Sequence, residues 1–443
     1  MGASAGRAAF RDASAGSIGW VGGVRAARGG SRGAFVALVA WVGVGVARGG
    51  AYGAHSGAMN ASTASPGGRS AEQGVLILDA GMGEGHRAVG GELALRLRGR
   101  GRRVDCVDVL ELLPRGLGAA LRSSYRAAVR RTPWLYDAVY SMFLEGGRGP
   151  GSTPLARLAV GGLRDAVDAS RPGLVVPVFH LAAQITGFLR QRGGLAVPTA
   201  VLITDFAVHR QWLHPGNDVH LCVSADAAQQ VRARLGRPGL AVGPVVPERF
   251  SRLTAADAAG WPARLGVAAE GRPVVLISTG SWGVADGLAG TAVSVARAGF
   301  LPVVLCGRDA RARARLSRLA GVRAYGWIED VAGLMAASSA LIDNAAGQTA
   351  VQALAAGLPV IGYRPIAGHG RQGVIRMAHI GVTEYARTRG ELLHALDRLT
   401  RPGEARDVRV RAGRALFSGD AADYVERAMV GLARHGHGNV GTV

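Results

Sequence analysis

The sequence predicts an α/β protein made of two Rossmann-like, doubly wound parallel-sheet domains that face a central cleft. Short apolar runs alternate with longer Ala-, Leu- and Arg-rich stretches at helical spacing, and this alternation occurs in two separate series. The chain of 443 residues is long enough for two or three domains, and 48% of it is hydrophobic while 19% is charged. This composition excludes a wholly disordered chain and a multi-span membrane protein.

The N-terminal tail, residues 1–73, is built mainly of Gly, Ala, Ser and Arg, and we expect it to be disordered. Within it, Ala34–Ala47 is an apolar run preceded by arginines. The run is shorter than the roughly 20 residues that a membrane-spanning helix needs. Three interpretations stay open: a secretion signal, a membrane-surface segment, and an over-extended start whose true initiator is Met59.

The first domain is predicted over residues 74–250, followed by a linker over residues 251–270. Each apolar run in this domain precedes a stretch with helical spacing, as β-α units require. The runs are Val75–Leu78, Val104–Val107, Leu174–Val178, Thr199–Ile203 and Val219–Val223.

The second domain is predicted over residues 271–400, and a C-terminal helix and tail over residues 401–443. Its apolar runs are Val274–Ser278, Val303–Cys306, Ala340–Asp343 and Val360–Tyr363. Because ligands of such sheets bind at the carboxyl ends of the strands, we expect the site in the cleft between the domains.

A glycine-rich loop, Gly81–His86, directly follows the first predicted strand. Its glycines allow a tight turn, and the helix predicted over Arg87–Arg98 would present free N–H groups to an anionic or polar ligand. The loop is not the dinucleotide fingerprint, because that spacing needs Gly where His86 or Arg87 stands. His86 is a candidate base for a substrate hydroxyl, and the alternative is a histidine that caps or lines the turn.

Further motifs follow this loop in order along roughly residues 74–400. In the first domain they are Val107–Leu110, Ser124–Tyr125, Pro133–Tyr136, Leu202–Phe206, His209 and Trp212–Pro215. In the second domain they are Gly280–Gly283, Gly326–Asp330, Asn344–Thr349 and Ile366–Gly370. The whole series resembles the monogalactosyldiacylglycerol synthase family. That resemblance implies the GT-B fold, which the family shares with the N-acetylglucosaminyltransferase of peptidoglycan synthesis.

The resemblance implies an inverting glycosyltransferase that moves a hexose from a UDP-sugar to diacylglycerol or a similar lipid. His86 would be the general base or would orient the acceptor, with Asp205 as the competing candidate. The implied donor-binding residues are Gly280, Ser281, Gly283, Ile328, Gly347, Gln348, Thr349, Gln352, His369 and Gln372. The implied acceptor-binding residues are Gly83, Gly85, His209, Trp212 and His214.

Two glycine-bearing turns in the second domain, Thr279–Gly283 and Ala345–Thr349, open predicted helices. Two helix N-termini aimed at one diphosphate can stabilise a leaving nucleotide, so we expect neither a metal nor a cofactor besides the UDP-sugar substrate. The sequence departs from the family at Gln352, where the family usually has a ribose-binding Glu. It departs again at residues 369–373, where His369 and Gln372 could substitute for the usual sugar-binding groups.

The net charge is +21, from 52 basic residues, all of them arginine, and 31 acidic residues. Arginine used throughout in place of lysine indicates a codon-biased source, so we expect no nucleic-acid partner. Residues 96–131 carry ten arginines around the apolar loop Leu110–Leu121, which suits docking on an anionic membrane surface. A solvated helix face is the alternative interpretation of this cluster.

The three cysteines, Cys106, Cys222 and Cys306, lie far apart and lack metal-ligand spacing, which indicates a reducing compartment. Together with the UDP-sugar donor and the lipid acceptor that the resemblance implies, this predicts a cytoplasmic protein, peripheral on the inner face of the cell membrane. Two other functions stay open. One is transfer to a polyprenyl-linked saccharide or a small-molecule acceptor, and the other is non-catalytic binding of a nucleotide-sugar or lipid.

Overall fold

A computed structural model describes residues 74–82, 84–123, 154–266, 271–278, 287–366 and 368–435. The predicted tail, residues 1–73, lies outside these ranges. Within them the chain forms two parallel sheets with helices on their faces, which we call the N-terminal half and the C-terminal half. Each predicted apolar run coincides with a strand to within two residues.

The N-terminal half contains six parallel strands. They are β1 (Gly74–Asp79), β2 (Val104–Asp108), β3 (Pro172–Pro177), β4 (Ala200–Ile203), β5 (Val219–Cys222) and β6 (Gly239–Ala241). Hydrogen bonds give the orders β2-β1-β3 and β4-β5-β6, and a parallel bridge between Val175 and Thr199 joins the two sets. The carboxyl ends of all six strands therefore lie along one edge.

Helices cover both faces of this sheet. They are α1 (Glu84–Gly99), α2 (Pro154–Leu158), α3 (Val160–Ser170), α4 (His180–Gln191) and α5 (Ala225–Leu235), with 3₁₀ turns at Arg210–Trp212 and Glu248–Phe250. Helix α1 packs its Val89, Leu93 and Leu97 on one face, and α3 and α4 cover the other. Successive residues of a strand point to opposite faces of the sheet. Ile77 therefore enters the core under α1, and Leu78 enters the core under α3 and α4.

The C-terminal half has strand order β12-β11-β10-β7-β8-β9, again all parallel. The strands are β7 (Val274–Ser278), β8 (Leu301–Leu305), β9 (Arg323–Tyr325), β10 (Ala340–Asp343), β11 (Val360–Tyr363) and β12 (Glu384–Ala386). The helices are α6 (Trp261–Leu265), α7 (Leu288–Arg297), α8 (Ala310–Leu316), α9 (Val331–Ala336), α10 (Gln348–Ala355), α11 (His369–His379) and α12 (Arg389–Thr400). Helix α6 falls inside the segment predicted as a linker, and its Trp261 is buried.

The C-terminal region forms two helices where the sequence predicted one. Helix α13 (Glu404–Ala415) packs against α10 and α12 of the C-terminal half, whereas α14 (Ala421–His435) returns to α1, β3 and β5 of the N-terminal half. The residues between α13 and α14 return the chain to the N-terminal half. They pass the earlier segment that leads from the N-terminal half to the C-terminal half. A side chain at Gly243 would meet the Leu416 carbonyl oxygen, and one at Gly419 would meet that of Val242. Glycine at both positions therefore lets the two crossing segments touch.

Arginines in the last turn of α1 and directly after it attach the returning helix. Arg96 donates to Glu92 at 2.8 Å, to Asp420 at 3.0 Å and to the Val246 carbonyl. Arg100 pairs with Asp420, Asp423 and Glu426, and Arg102 donates to Glu426 at 2.8 Å. This limits the docking interpretation of residues 96–131, because the carboxylates of Asp420, Asp423 and Glu426 pair with these three arginines.

Candidate active site

The glycine-rich loop after β1 is held by the neighbouring strand. Asp108, the last residue of β2, is buried and accepts a 3.0 Å hydrogen bond from the Gly81 N–H and a 2.7 Å bond from Arg122. A side chain at Gly81 would lie 2.7 Å from the Asp108 carboxylate, so glycine is required for this approach. Helix α1 begins at Glu84, which places His86 in its first turn rather than before it. Gly83 lies outside the described residues.

His86 is half-buried and anchored at one ring nitrogen. Its Nδ1 lies 3.0 Å from the Val178 carbonyl oxygen and 3.3 Å from the Thr204 hydroxyl. A carbonyl oxygen only accepts, so Nδ1 carries the proton and the lone pair resides on Nε2. Burial lowers the pKa of His86 below 6.5, against the opposing attraction of Asp205. A neutral imidazole with an unprotonated Nε2 is the form that a general base needs.

Asp205 lies in the loop after β4, and two donors meet one of its oxygens. Trp212 Nε1 donates to Asp205 Oδ2 at 2.8 Å, and His209 Nε2 lies 3.4 Å from the same atom. The ring centroids of His86 and Trp212 are 6.2 Å apart, so the indole that donates to Asp205 also lies near His86. The carboxylate is thus fixed close enough to His86 to influence its charge.

Two residues predicted to contact an acceptor have packing roles in the structure. Trp212 is fully buried, and His214 is 2% exposed. His214 Nδ1 accepts from the Gly216 N–H, and the ring fills the space left by Gly187, where a Cβ would approach to 2.4 Å. Burial lowers the pKa of His214 to about 4. We therefore assign both residues to the support of the loop that carries Asp205.

In the C-terminal half, the turn before α10 is tied to β10. Asp343 accepts hydrogen bonds from the N–H groups of Ala345 and Ala346 at 2.9 and 2.6 Å. Burial raises the pKa of Asp343 to about 6, although these two bonds favour the ionised form. The turn leads through Gly347 to the first helical residue, Gln348.

Helix α11 lies directly on this turn. Side chains at Gly370 and Gly373 would meet the Asn344 carbonyl oxygen at 3.2 Å and Ala346 Cβ at 2.7 Å. Glycines one helical turn apart thus allow the N-terminal ends of α10 and α11 to converge. N–H groups at such ends favour a phosphate group.

The structure brings some predicted donor residues together and leaves others apart. Gly347, Gln348, Thr349 and the half-buried Gln352 share the start of α10, while Ile328 packs against the core cluster to which α10 also contributes. Gln348 donates to the Val245 carbonyl at 3.0 Å, so in this conformation its amide joins the two halves. Gln372 is exposed on α11. Gly280, Ser281 and Gly283, as well as the side chain of His369, lie outside the described residues.

The site also contains residues that the sequence did not single out. Thr204 contacts His86, and the His180 ring lies 5.2 Å from that of His209. Both follow the carboxyl ends of strands, which is the signal that could have found them. Gly85 stands opposite the C-terminal half, since a Cβ there would lie 3.8 Å from Gln348 Cβ. The acceptor-side loop and the predicted phosphate turn therefore face each other directly.

Several solved structures share this architecture. At a TM-score of 0.56 and 11% identity, Medicago truncatula UGT71G1 complexed with UDP-glucose matches 82% of the chain and 99% of its own length. The glycosyltransferase SnogD from Streptomyces nogalater (TM-score 0.51, 19% identity) and Acinetobacter baumannii MurG (0.50, 16%) are matched over their whole lengths, covering 82% and 81% of the chain. The chain has the GT-B fold.

Sequence comparisons support the predicted resemblance. The family model described as monogalactosyldiacylglycerol (MGDG) synthase matches residues 88–238. A processive diacylglycerol beta-glucosyltransferase of Bacillus cytotoxicus is 24% identical over 239 residues, which are 52% of the chain and 60% of the relative. The protein of the same name from Bacillus cereus strain AH187 is 22% identical over 59% of the chain and 69% of the relative. The predicted resemblance of this protein to the monogalactosyldiacylglycerol synthase family is thus confirmed.

Two kinds of feature are absent from the described residues. No helix there combines the length and apolar character that crossing a membrane requires. Among the same residues, no group of three or more His, Cys, Asp or Glu side chains is arranged to hold a metal ion.

Proposed function

We propose that the protein is an inverting glycosyltransferase that transfers a hexose from a UDP-sugar to the hydroxyl of diacylglycerol or a similar lipid. The observation that carries this proposal is the anchoring of His86 Nδ1 on the Val178 carbonyl, which leaves Nε2 as a base at the cleft. The base stands one residue from Gly85, which faces the N-terminus of α10. A base for the acceptor and a phosphate-favouring helix end are therefore adjacent.

The reaction follows from this arrangement. His86 Nε2 takes the proton of the acceptor hydroxyl as the oxygen attacks the anomeric carbon of the donor. The bond between that carbon and the phosphate oxygen breaks on the opposite side, so the configuration inverts and UDP leaves. The N-terminus of α10 stabilises the charge that develops on the diphosphate. Asp205 stabilises the imidazolium that forms, because a fixed negative charge nearby favours it.

The same geometry favours His86 over Asp205 as the base. Asp205 Oδ2 accepts from the Trp212 indole and faces His209, so hydrogen bonding already engages that carboxylate oxygen. Hydrogen bonds to an ionised carboxylate stabilise it and weaken its pull on a proton. Asp205 then acts through its charge rather than by accepting the acceptor proton.

For the donor and acceptor we propose UDP-glucose or UDP-galactose and diacylglycerol. The names of the relatives support diacylglycerol, and the relatives and the family model favour glucose and galactose respectively. Such a lipid acceptor lies in a membrane, so we further propose that the protein works as a peripheral protein on the cytoplasmic membrane face. No metal or additional cofactor is part of this proposal.

The test is a transfer assay with diacylglycerol vesicles and labelled UDP-glucose, UDP-galactose or UDP-N-acetylglucosamine. We expect a glycolipid product from at least one donor. We expect His86→Ala to lower kcat by about 10²–10⁴-fold, the range typical of a lost general base, while the Kd for UDP stays unchanged. His394→Ala, which changes an exposed histidine on α12, is the matched control.

Three outcomes would contradict the proposal in whole or in part. Tight UDP binding without product from any donor, in a folded protein, would indicate a non-catalytic binding protein. Activity retained in His86→Ala and lost in Asp205→Asn would assign the base to Asp205. Product only with polyprenyl-linked or small-molecule acceptors would keep the transferase and overturn the lipid acceptor.

A further inference from the structure

An ion pair crosses the cleft beside His86. Glu84, the first residue of α1, lies with its Oε1 3.0 Å from Nη2 of Arg308, which follows β8 in the C-terminal half. The Arg308 guanidinium also lies 5.0 Å from the centre of the Trp327 ring. The pair therefore joins the helix turn that carries the proposed base to the half that would hold the donor.

Both members of the pair are held in place by their own halves. Glu84 stands at the N-terminus of α1, where the helix dipole favours a negative charge. Arg308 is held by the face of Trp327, an attraction between a cation and an aromatic ring. Orienting both side chains in advance lowers the entropy cost that makes most exposed ion pairs weak.

A second contact lies beside the first. Gly85 approaches Gln348, and Gln348 donates to the Val245 carbonyl in the connection between the halves. The first turn of α1 thus meets the first turn of α10 at Gly85 and meets Arg308 at Glu84. Two adjacent contacts restrict both the separation and the rotation of the halves near His86.

We propose that Glu84 and Arg308 are positioning residues, and that their ion pair aligns His86 with the donor-binding half during transfer. This inference rests on the proposed function. Neither residue takes part in the proton transfer. Their contribution acts through the placement of His86 relative to the sugar, which sets how often the closed cleft is productive.

The charge of each partner can be removed without removing its bulk. We expect Glu84→Gln and Arg308→Gln each to lower kcat/KM by about three- to fivefold, the size expected for a partly exposed pair. The Kd for UDP should stay within twofold of wild type. Salt should lower wild-type kcat/KM more than that of either variant, because salt screens the ion pair. Asp397→Asn, which breaks an exposed Asp397–Arg401 pair at the C-terminal end of α12, is the matched control.

A charge exchange gives the sharper test. Glu84→Arg and Arg308→Glu alone place like charges together and should each lower kcat/KM more than the neutral variants. The double variant should be more active than either single variant, although the helix dipole disfavours Arg at position 84. A double variant no better than the product of the single effects would overturn the proposal. So would Arg308→Gln weakening UDP binding tenfold while Glu84→Gln does not, since Arg308 would then be a donor ligand.

A readout without activity separates this inference from the proposed function. Spin labels at Leu95→Cys on α1 and Val408→Cys on α13, both exposed, report the separation of the two halves in a Cys106→Ser background. We expect a narrow distance distribution that broadens in Glu84→Gln and narrows again in the charge-exchanged variant. Unchanged distributions in all variants would overturn the alignment role even if the transferase assay succeeds. Broadening together with a failed assay would keep the contact and reject the reaction.

Discussion

Histidines of the N-terminal half differ in what surrounds their ring nitrogens. His86 is half-buried with Nδ1 on a carbonyl, whereas His214 is 2% exposed and sits where Gly187 leaves room for its ring. The sequence assigns both a functional role, because both belong to motifs that follow predicted strands. Local sequence cannot show that His214 is a core residue while His86 is not, since the space for the His214 ring is left by Gly187 on helix α4. His86 could be predicted because the glycine-rich motif Gly81–His86 is made of consecutive residues and can be recognised in the sequence.

Asp79, the last residue of β1, provides a test at the scale of one side chain. Burial raises its pKa to about 6 from 3.8, so between these values the folded state binds more protons than the unfolded state. The free energy of unfolding therefore falls as pH rises through this range and stays lower above it. Asp79→Asn removes this cost. Its stability advantage over wild type should grow by roughly 1 kcal/mol between pH 5 and pH 8.

Thermal unfolding at the two pH values measures this difference. Asp168→Asn, at an exposed position on α3, serves as the control. An Asp79→Asn variant that loses stability relative to wild type as pH rises would show that the ionised carboxylate is stabilising.

At the scale of elements, strands made of apolar runs could be predicted from the sequence, and the short strands at the sheet edges could not. The three strands that the sequence did not predict, β6, β9 and β12, have three residues each and include half-buried or exposed side chains such as Arg323 and Glu384. Such edge strands form because a neighbouring strand offers free backbone groups, not because their own sequence is apolar. The division of the C-terminal helix was missed for a similar reason, since the two parts pack on different halves.

Helix α1 contains adjacent glycines whose surroundings differ. Nothing lies within 4 Å of a Cβ built at Gly91, whereas one at Gly90 would lie 3.2 Å from Asp79 Cβ. Gly91→Ala should raise the free energy of unfolding by about 0.8–1 kcal/mol, because Ala restricts the unfolded chain and favours the helix. Gly90→Ala should lack this gain because it crowds Asp79. Denaturant unfolding of both variants measures the contrast, and equal stabilisation by the two would contradict the close contact.

At the scale of the whole molecule, the charge of +21 overstates the basic surface that is open to a partner. Arg96, Arg100 and Arg102 are bound to carboxylates of α1, of α14 and of Asp420 just before α14, and Arg103 donates to the Ser170 and Arg171 carbonyls. A net charge taken from composition counts every arginine equally, whether or not a carboxylate pairs with it. Pairing between residues more than 300 positions apart can be recognised only in the folded chain.

Charge substitutions separate the two uses of arginine. Arg102→Gln combined with Arg103→Gln should lower the Tm by a few degrees and leave binding to anionic vesicles within twofold, because these side chains already have partners. Arg115→Gln should weaken vesicle binding without changing the Tm, since Arg115 is exposed and the structure shows it no ionic partner among the described residues. Vesicle sedimentation and thermal unfolding measure the two effects. Loss of vesicle binding in the double variant would restore the docking role of residues 102 and 103.

The return of α14 to the first sheet has a consequence for how the protein is made. Ala421, Ala422, Val425 and Met429 complete the same core as Val75 and Ile77. On the ribosome, β1 emerges hundreds of residues before these partners, and the whole second sheet is synthesised in between. The half that starts first is therefore finished last. Until α14 is synthesised, the part of this sheet face that α14 covers beside α1 remains exposed, which makes the nascent chain a natural client for chaperones.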